Sequence, residues 1–383
     1  MRLSPSEREA AVQLLGGRWP QAAAGQAPER FWEWVAFLRL DGVAIAAARV
    51  KDNGAATESI PPDARDRALR MGLSTTLHVE VAAQVIEVLE RHGVPAVMFK
   101  GTSLVASGVY RDPAERPMDD ADVLVHPAAA RDALEALFRE GFRPWSTWIP
   151  GSEGWLDTAS LIAPGSSPAM PLHVDLHWRL GRGELHFGAG GREATLLQGS
   201  VGGQPQPDGH FVHIVEHLLR HLRVRPHPPG IADVLRAADR LQDPTRVASL
   251  LLEGPLAPAA MGLIRAAAPF AASEQGSQRL RQVDEAMTAT RRTLRPWGPS
   301  DLPAYLSGRL SQRKGRIAGI RARWGQTGGG ISALKDLTAT FRPSTNWLCE
   351  RYPEASIFQG RMMYLGGVFR WLAGGSSPAS PNQ

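Results

Sequence analysis

Apolar and polar positions divide the chain into a helical first part, a mixed middle and a helical last part. Residues 6–50 read as helices, opened by the helix-start signal Pro5-Ser6-Glu7-Arg8-Glu9. Phe31-Trp32-Glu33-Trp34-Val35-Ala36-Phe37-Leu38 is an apolar helical run whose two tryptophans belong in a core. Pro61-Pro62 separates this part from the next helix. That helix is long and is expected from Asp63 to His92. Leu77, Val81, Val85, Val88 and Leu89 recur on it at helical spacing. Gly93 stands where a glycine stop belongs.

The period then shifts toward strands. Val94 to Phe99 reads as a first core strand, followed by a glycine turn and a short helix over 102–110. A second strand is expected at 120–125. Pro127 opens a helix over 127–140 that Gly141 ends. Phe142-Arg143-Pro144-Trp145 starts another strand, and 150–170, rich in Gly, Ser and Pro, reads as a loop or ragged hairpin. A strand over 171–178 completes a mixed sheet, and residues 182–209 are irregular. Beyond 210 strand signals fade. Helices are expected at 210–223, capped by Asp208, then at 230–242, 245–253, 256–271, 275–293 and within 302–323. The expected fold class is α+β. The division is 1–75 as an N-terminal helical segment, 76–209 as the core, 210–373 as a helical domain and 374–383 as a disordered tail.

Composition narrows the class only a little. The 383 residues are 43% hydrophobic with 11 Trp, enough for real cores. A net charge of +5 is mild at this length and does not by itself imply nucleic acid. The single cysteine, Cys349, excludes an internal disulfide framework or a multi-cysteine zinc site and fits a cytoplasmic location. No apolar signal core opens the chain, and no apolar run is long enough to span a membrane.

The chemistry concentrates in two strands. In 120–125, alternation puts Asp120 and Asp122 on one side and Asp119 and Ala121 on the other. Two such carboxylates repel each other unless a cation lies between them, and carboxylates suit Mg²⁺ or Mn²⁺. In Leu172-His173-Val174-Asp175-Leu176-His177-Trp178, the same alternation places His173, Asp175 and His177 together. A third carboxylate on a neighbouring strand would complete a two-metal cluster. Next to the Lys100-Gly101-Thr102-Ser103 turn, this suggests phosphoryl or nucleotidyl transfer.

The pattern resembles the polymerase-β-type nucleotidyltransferase superfamily: a glycine and a small residue, a strand Asp-x-Asp, then a distant Asp. More closely it is similar to a poorly characterised bacterial branch with a Lys-Gly start, a Tyr, an Arg before the Asp-x-Asp, and a later Asp-Leu-His-Trp. Those residues are Lys100, Gly101, Tyr110, Arg116, Asp120, Asp122, Asp175, His177 and Trp178, and the match covers roughly residues 76–240. Asp119, Ala121 and the Gly-Thr-Ser turn depart mildly from the pattern without removing a ligand.

The resemblance implies a small mixed-sheet nucleotidyltransferase core flanked by helices, and transfer of NMP from an NTP to an unidentified acceptor. That acceptor is a protein side chain, a modified peptide, an RNA end or a small molecule. Asp120 and Asp122 would hold the metal of the triphosphate. Asp175 would help bind a second metal and poise the acceptor. Gly101 would let the backbone approach phosphate, with Thr102 and Ser103 offering hydroxyls and amides. Lys100 would reach phosphate or stand as a strand-end lysine. Arg116 would clamp the triphosphate or pair with Asp119 or Glu115. His177 would orient Asp175 or touch substrate, and Trp178 would lie in the core.

His213, His217 and His221 recur four residues apart on one helix face. The spacing permits zinc, but no His-Glu-x-x-His accompanies it. With a later acid such as Asp233, these histidines would line an interdomain cleft, His217 and His221 on the acceptor side. Residues 302–335 contain no acid and seven cations: Arg309, Arg313, Lys314, Arg316, Arg321, Arg323 and Lys335. They read as a solvated helix face, or as a surface for an acidic partner or nucleic acid. Two other classes stay open: a catalytically silent nucleotide-binding or scaffold protein of the same fold, and a metal phosphohydrolase built on the histidine helix.

Overall fold

The computed structural model describes residues 3–20, 28–51, 60–145, 158–168, 170–180, 196–198, 200–221, 227–254, 256–291 and 294–307, with isolated positions between 356 and 366. The fold is α+β, with eleven α-helices and a five-stranded mixed sheet among these residues. Helix α1 (Pro5–Leu15) begins in a capping box. Ser4 Oγ accepts the Glu7 amide, and the Glu7 carboxylate accepts the Ser4 amide. Helices α2 (Pro28–Phe37) and α3 (Asp41–Lys51) come next, then the long α4 (Pro62–Arg91), one residue from its expected bounds. Trp32 and Trp34 are buried, as the apolar run predicts.

The sheet is built from β1 (Ala96–Met98), β2 (Ala121–Val125), β3 (Arg143–Pro144), β4 (Thr158–Ile162) and β5 (His173–His177), in the order β1-β2-β5-β4-β3. Strand β2 runs parallel to β5, and every other pairing is antiparallel. Alternation decides the two faces. Val123, Val125, Val174 and Leu176 form one buried cluster with Val81, Val85 and Leu89 of α4 and with Leu134 and Leu137 of α6 (Ala130–Arg139). The opposite face carries Leu124 in a small cluster with Val97, Phe99, Leu180 and Leu196, beside the acidic positions of β2 and β5. Strand β4 occupies part of the segment expected as a loop or ragged hairpin. Its Ala159 and Leu161 point inward, while Thr158, Ser160 and Ile162 are only half buried.

The turn before α5 (Lys100–Ala106) differs from the expected glycine turn. Phe99 is extended, Lys100 has φ +53°, and the helix begins at once, two residues ahead of its predicted start. The left-handed residue is therefore Lys100, and Gly101 lies inside the helix. Gly101 is glycine for a different reason. A Cβ there would lie 2.7 Å from the Arg116 guanidinium.

Helices α7 (Pro207–His221), α8 (Pro228–Ala237), α9 (Pro244–Glu253), α10 (Ala257–Ala267) and α11 (Glu274–Thr290) form the last part. Asp208 does not act as the expected cap of its own helix. Its carboxylate accepts the backbone amides of Gln242 and Asp243, closing the turn before α9. One hydrophobic cluster joins α1–α3 to α7–α11, with Leu14, Trp34 and Val43 in the same core as Phe211, Leu235 and Leu263. Of the helices expected within 302–323, only a 3₁₀ segment, Leu302–Ser307, falls among the described residues. No helix there is long and apolar enough to cross a membrane.

Candidate active site

The parallel pairing of β2 and β5 sets Asp122 directly beside Asp175. Adjacent residues in register on neighbouring strands project from the same face, so two carboxylates of a shared site come from positions 53 residues apart in sequence. Ser160 of β4 pairs with Asp175 on its other side, and its hydroxyl donates to Asp175 Oδ1 at 2.5 Å. Asp120 sits one residue before β2. The Asp122 charge, burial and the Asp175 charge together push its carboxyl up to about 7. Asp119 turns the other way, as alternation predicts, into a bidentate pair with Arg39 at 2.8 and 2.9 Å.

Asp122 is the best-supported carboxylate of the three. Lys100 Nζ donates to its Oδ1 at 2.5 Å, and His177 Nε2 lies 3.0 Å from the same oxygen. Its backbone amide donates to Thr102 Oγ1 at 3.0 Å. Burial alone would raise the Asp122 carboxyl, but the Lys100 ammonium and His177 hold it well below the usual range. Burial, then the nearby ammonium, lowers His177. His177 Nε2 is also 3.4 Å from Lys100 Nζ, and the His177 ring meets Phe99 edge-on at 4.9 Å.

The other expected phosphate contacts are engaged elsewhere. Thr102 is fully buried and spends its hydroxyl on the Asp122 amide. Ser103 is buried and donates to Gln204 Oε1 at 2.7 Å. Arg116 pairs neither with Asp119 nor with Glu115. Its Nε and one terminal nitrogen meet both oxygens of Asp233 on α8 at 2.8 and 2.9 Å, and Tyr110 Oη donates to Asp233 Oδ1 at 2.6 Å. Burial opposes the Arg116 charge, but Asp233 outweighs it and raises the guanidinium further. Glu115 instead pairs with Arg236. The anticipated acid of the helical part is thus not a cleft residue but the buried anchor of Arg116.

On α7, His213, His217 and His221 do share a face. Ring centroids are 5.8 Å apart for His213–His217 and 4.4 Å for His217–His221. His227, just before α8, stacks on His221 at 4.5 Å and caps its helix by accepting the Gly230 amide at Nδ1. Burial, then Lys100 and the neighbouring rings, holds His217 well below the ordinary histidine value. His210, one turn earlier, is buried, hydrogen-bonds to the Lys100 backbone and is lowered by burial to about 4. Phe99 bridges the two groups of histidines, 5.2 Å from His213. The cations named within 302–335 lie outside the described residues.

Sequence reasoning did not find Ser160, Gln204, His210 or His227. Ser160 sits on a strand with no strong apolar alternation. The other three are brought to the site only by tertiary packing.

Among the described residues, Asp122, Asp175 and His177 offer ligand atoms that all lie within 4.8 Å of one another. Two carboxylates and an imidazole within reach of one another are a donor set that a divalent cation fits. No curated protein and no solved structure matches the chain significantly. The family described as "Uncharacterised nucleotidyltransferase" matches residues 25–252, more than half of the chain, and the protein belongs to that nucleotidyltransferase family.

Proposed function

We propose that the protein transfers an NMP from a metal-bound NTP to an acceptor at the face formed by Asp120, Asp122 and Asp175. The observation that carries this reading is the in-register placement of Asp122 beside Asp175, with Asp120 close enough to be raised by both. These carboxylates would hold Mg²⁺ or Mn²⁺, which supplies charge neutralisation for the phosphates and for the leaving pyrophosphate. The protein's own residues orient and exclude. Ser160 fixes Asp175, Thr102 fixes the Asp122 backbone, and His177 fixes the Asp122 carboxylate. In the reaction an acceptor oxygen or nitrogen bonds to the α-phosphorus, the bond to pyrophosphate breaks, and the acceptor proton passes by way of the Asp175 carboxylate to solvent. Asp175 would poise that acceptor, with His217, near enough to Lys100 to feel its charge, and the adjoining His221 on the acceptor side.

The direct test is incubation of purified protein with each α-labelled NTP and Mg²⁺, reading label on protein, RNA or small molecules. Label transfer that Asp175→Asn eliminates supports the reading. For this variant, binding of a non-hydrolysable NTP should persist within about threefold while transfer falls by at least about 10²-fold, as for a group acting in the transition state. Binding lost together with transfer would move Asp175 into the nucleotide site. The Lys100–Asp122 ion pair favours a second reading, a silent nucleotide-binding protein. Tight, metal-dependent NTP binding with no transfer to any acceptor would select it.

The Asp120 titration predicts a pH dependence. Its folded value, about 7, lies above the ordinary 3.8, so between about pH 4 and 7 the native state keeps a proton that the unfolded chain has released. Metal-free stability from this group therefore falls as pH rises through that window. A divalent ion removes the penalty by replacing the proton. The gain in melting temperature on adding Mn²⁺ should therefore grow from pH 5.5 to 8 and be lost in Asp120→Asn, which differential scanning fluorimetry can follow.

A further inference from the structure

Lys100 stands in an unusual place for a phosphate-binding lysine. Its ammonium is 2.5 Å from Asp122 Oδ1, the oxygen that His177 Nε2 approaches to 3.0 Å. The backbone is committed to that position. Lys100 is one of only two non-glycine residues with positive φ among the described residues, and its backbone is hydrogen-bonded to His210. The stem runs beside the Phe99 ring, with Nζ 5.0 Å from its centroid, and the side chain is 16% exposed. A left-handed non-glycine residue is strained, and such strain persists where the surroundings over-determine it. Here it aims a cation at Asp122, a carboxylate of the proposed metal site.

A lysine ammonium and a divalent ion cannot both take one carboxylate oxygen without placing like charges in contact. We infer that Lys100 competes with the divalent cation for Asp122, so that the site accepts the metal–nucleotide complex in preference to the free ion. The inference rests on the proposed reading of Asp122 and Asp175 as cation ligands. The triphosphate supplies what the exchange needs. A lysine is a compact charge on a flexible four-carbon stem and binds phosphate as readily as carboxylate. Phosphate oxygens arriving with the metal give Lys100 a new partner as Asp122 turns to the cation. Metal and nucleotide then bind with positive coupling, reciprocal by linkage. The hydroxyls of Thr102 and Ser103 are already spent on Asp122 and Gln204, which leaves Lys100 as the group of this turn free to exchange partners.

The test is the affinity of the full-length protein for Mn²⁺, read from the electron paramagnetic resonance signal of free Mn²⁺. It is measured without nucleotide and with a saturating non-hydrolysable ATP analogue. Lys100→Met removes the charge and keeps the bulk. Lys100→Gly removes the side chain and accepts the positive φ, so a folding fault specific to Met, seen by circular dichroism, does not blind the experiment. Asp122→Ala identifies which Mn²⁺ signal belongs to this site. Without nucleotide, the lysine variants should bind Mn²⁺ more tightly than wild type, by about 5- to 150-fold, the usual span of coupling between sites. The analogue should then enhance Mn²⁺ binding less in the variants than in wild type. Equal or weaker nucleotide-free affinity in the variants would overturn the competition and leave the metal site standing. Absence of Asp122-dependent Mn²⁺ binding in every protein, with or without analogue, would overturn the metal site and the competition together.

Discussion

Asp122→Ala is expected to lower nucleotidyl transfer by about 10³-fold or more while leaving the protein folded. Loss of partners one shell outside a metal site already costs about 10- to 100-fold, and Asp122 is proposed here as a direct ligand. It also gathers the site around itself. Lys100, His177 and the Thr102 hydroxyl all meet this residue, and Asp175 lies in register beside it. The substitution takes the partner from Lys100 but also removes the charge that raises Asp120, so some stability is lost while the apolar face of the sheet stays intact. Asp120, held up first of all by the Asp122 charge, should return toward an ordinary carboxylate value. The control is Asp119→Ala. Asp119 is largely exposed and among the described residues pairs only with Arg39, so its loss should cost at most about 1 kcal/mol and leave transfer near wild type. Transfer of label from α-labelled NTP, with circular dichroism for fold, decides. Comparable losses at both positions would mean that the carboxylate face is misassigned.

Asp233→Ala should produce the largest loss of stability, about 3–5 kcal/mol by chemical denaturation, because it strands a buried guanidinium. Arg116 is 12% exposed and Asp233 5%, and the pair is bidentate. Tyr110 Oη loses its acceptor in the same change. Arg116→Lys should not rescue function, since an ammonium cannot reproduce the two parallel bonds or lie flat against Gly101. Replacing the pair together by Arg116→Met and Asp233→Leu should recover much of the stability, as buried ion pairs exchanged for apolar groups often do. Recovery of stability without recovery of NTP affinity would show that the pair sets the position of the Lys100 turn. A loss at Asp233→Ala no greater than that of a surface substitution would contradict the buried geometry.

The legible part of this protein is the part governed by local periodicity. Val123, Val125, Val174 and Leu176 take one face of each strand, and that pattern puts Asp122 and Asp175 on the other, which the pairing of β2 with β5 then brings together. The long helix and its glycine stop are equally plain. Strand β4 is not, because Thr-Ala-Ser-Leu-Ile carries only two inward apolar side chains, one of them an alanine. The partner of Arg116 is not legible either. Glu115 and Asp119 are its sequence neighbours, yet the buried position of Asp233, 117 residues away, decides the pairing. The turn at Lys100 misleads in a third way. Glycine is the usual left-handed residue, and here tertiary contacts impose that conformation on the lysine beside it.

The shared core of the first and last helices bears on how the chain is made. Leu14, Trp34 and Val43 lie in α1 to α3, which leave the ribosome first, but their packing partners Phe211, Leu235 and Leu263 come roughly two hundred residues later. Domains generally fold as units during synthesis, from the N-terminus onward. In this protein the nascent first helices gain Ile60, Ala64, Ala68, Leu104 and Ala114 of the same cluster early, but their contacts with the last helices stay open, and the carboxylate sheet is finished before Asp233 arrives to anchor Arg116. Ribosome-bound chains ending near residue 205 should therefore be protease-sensitive over residues 28–51, and chains extended past residue 290 should be protected there. The long interval is also a window for aggregation, because apolar surface stays exposed on the growing chain.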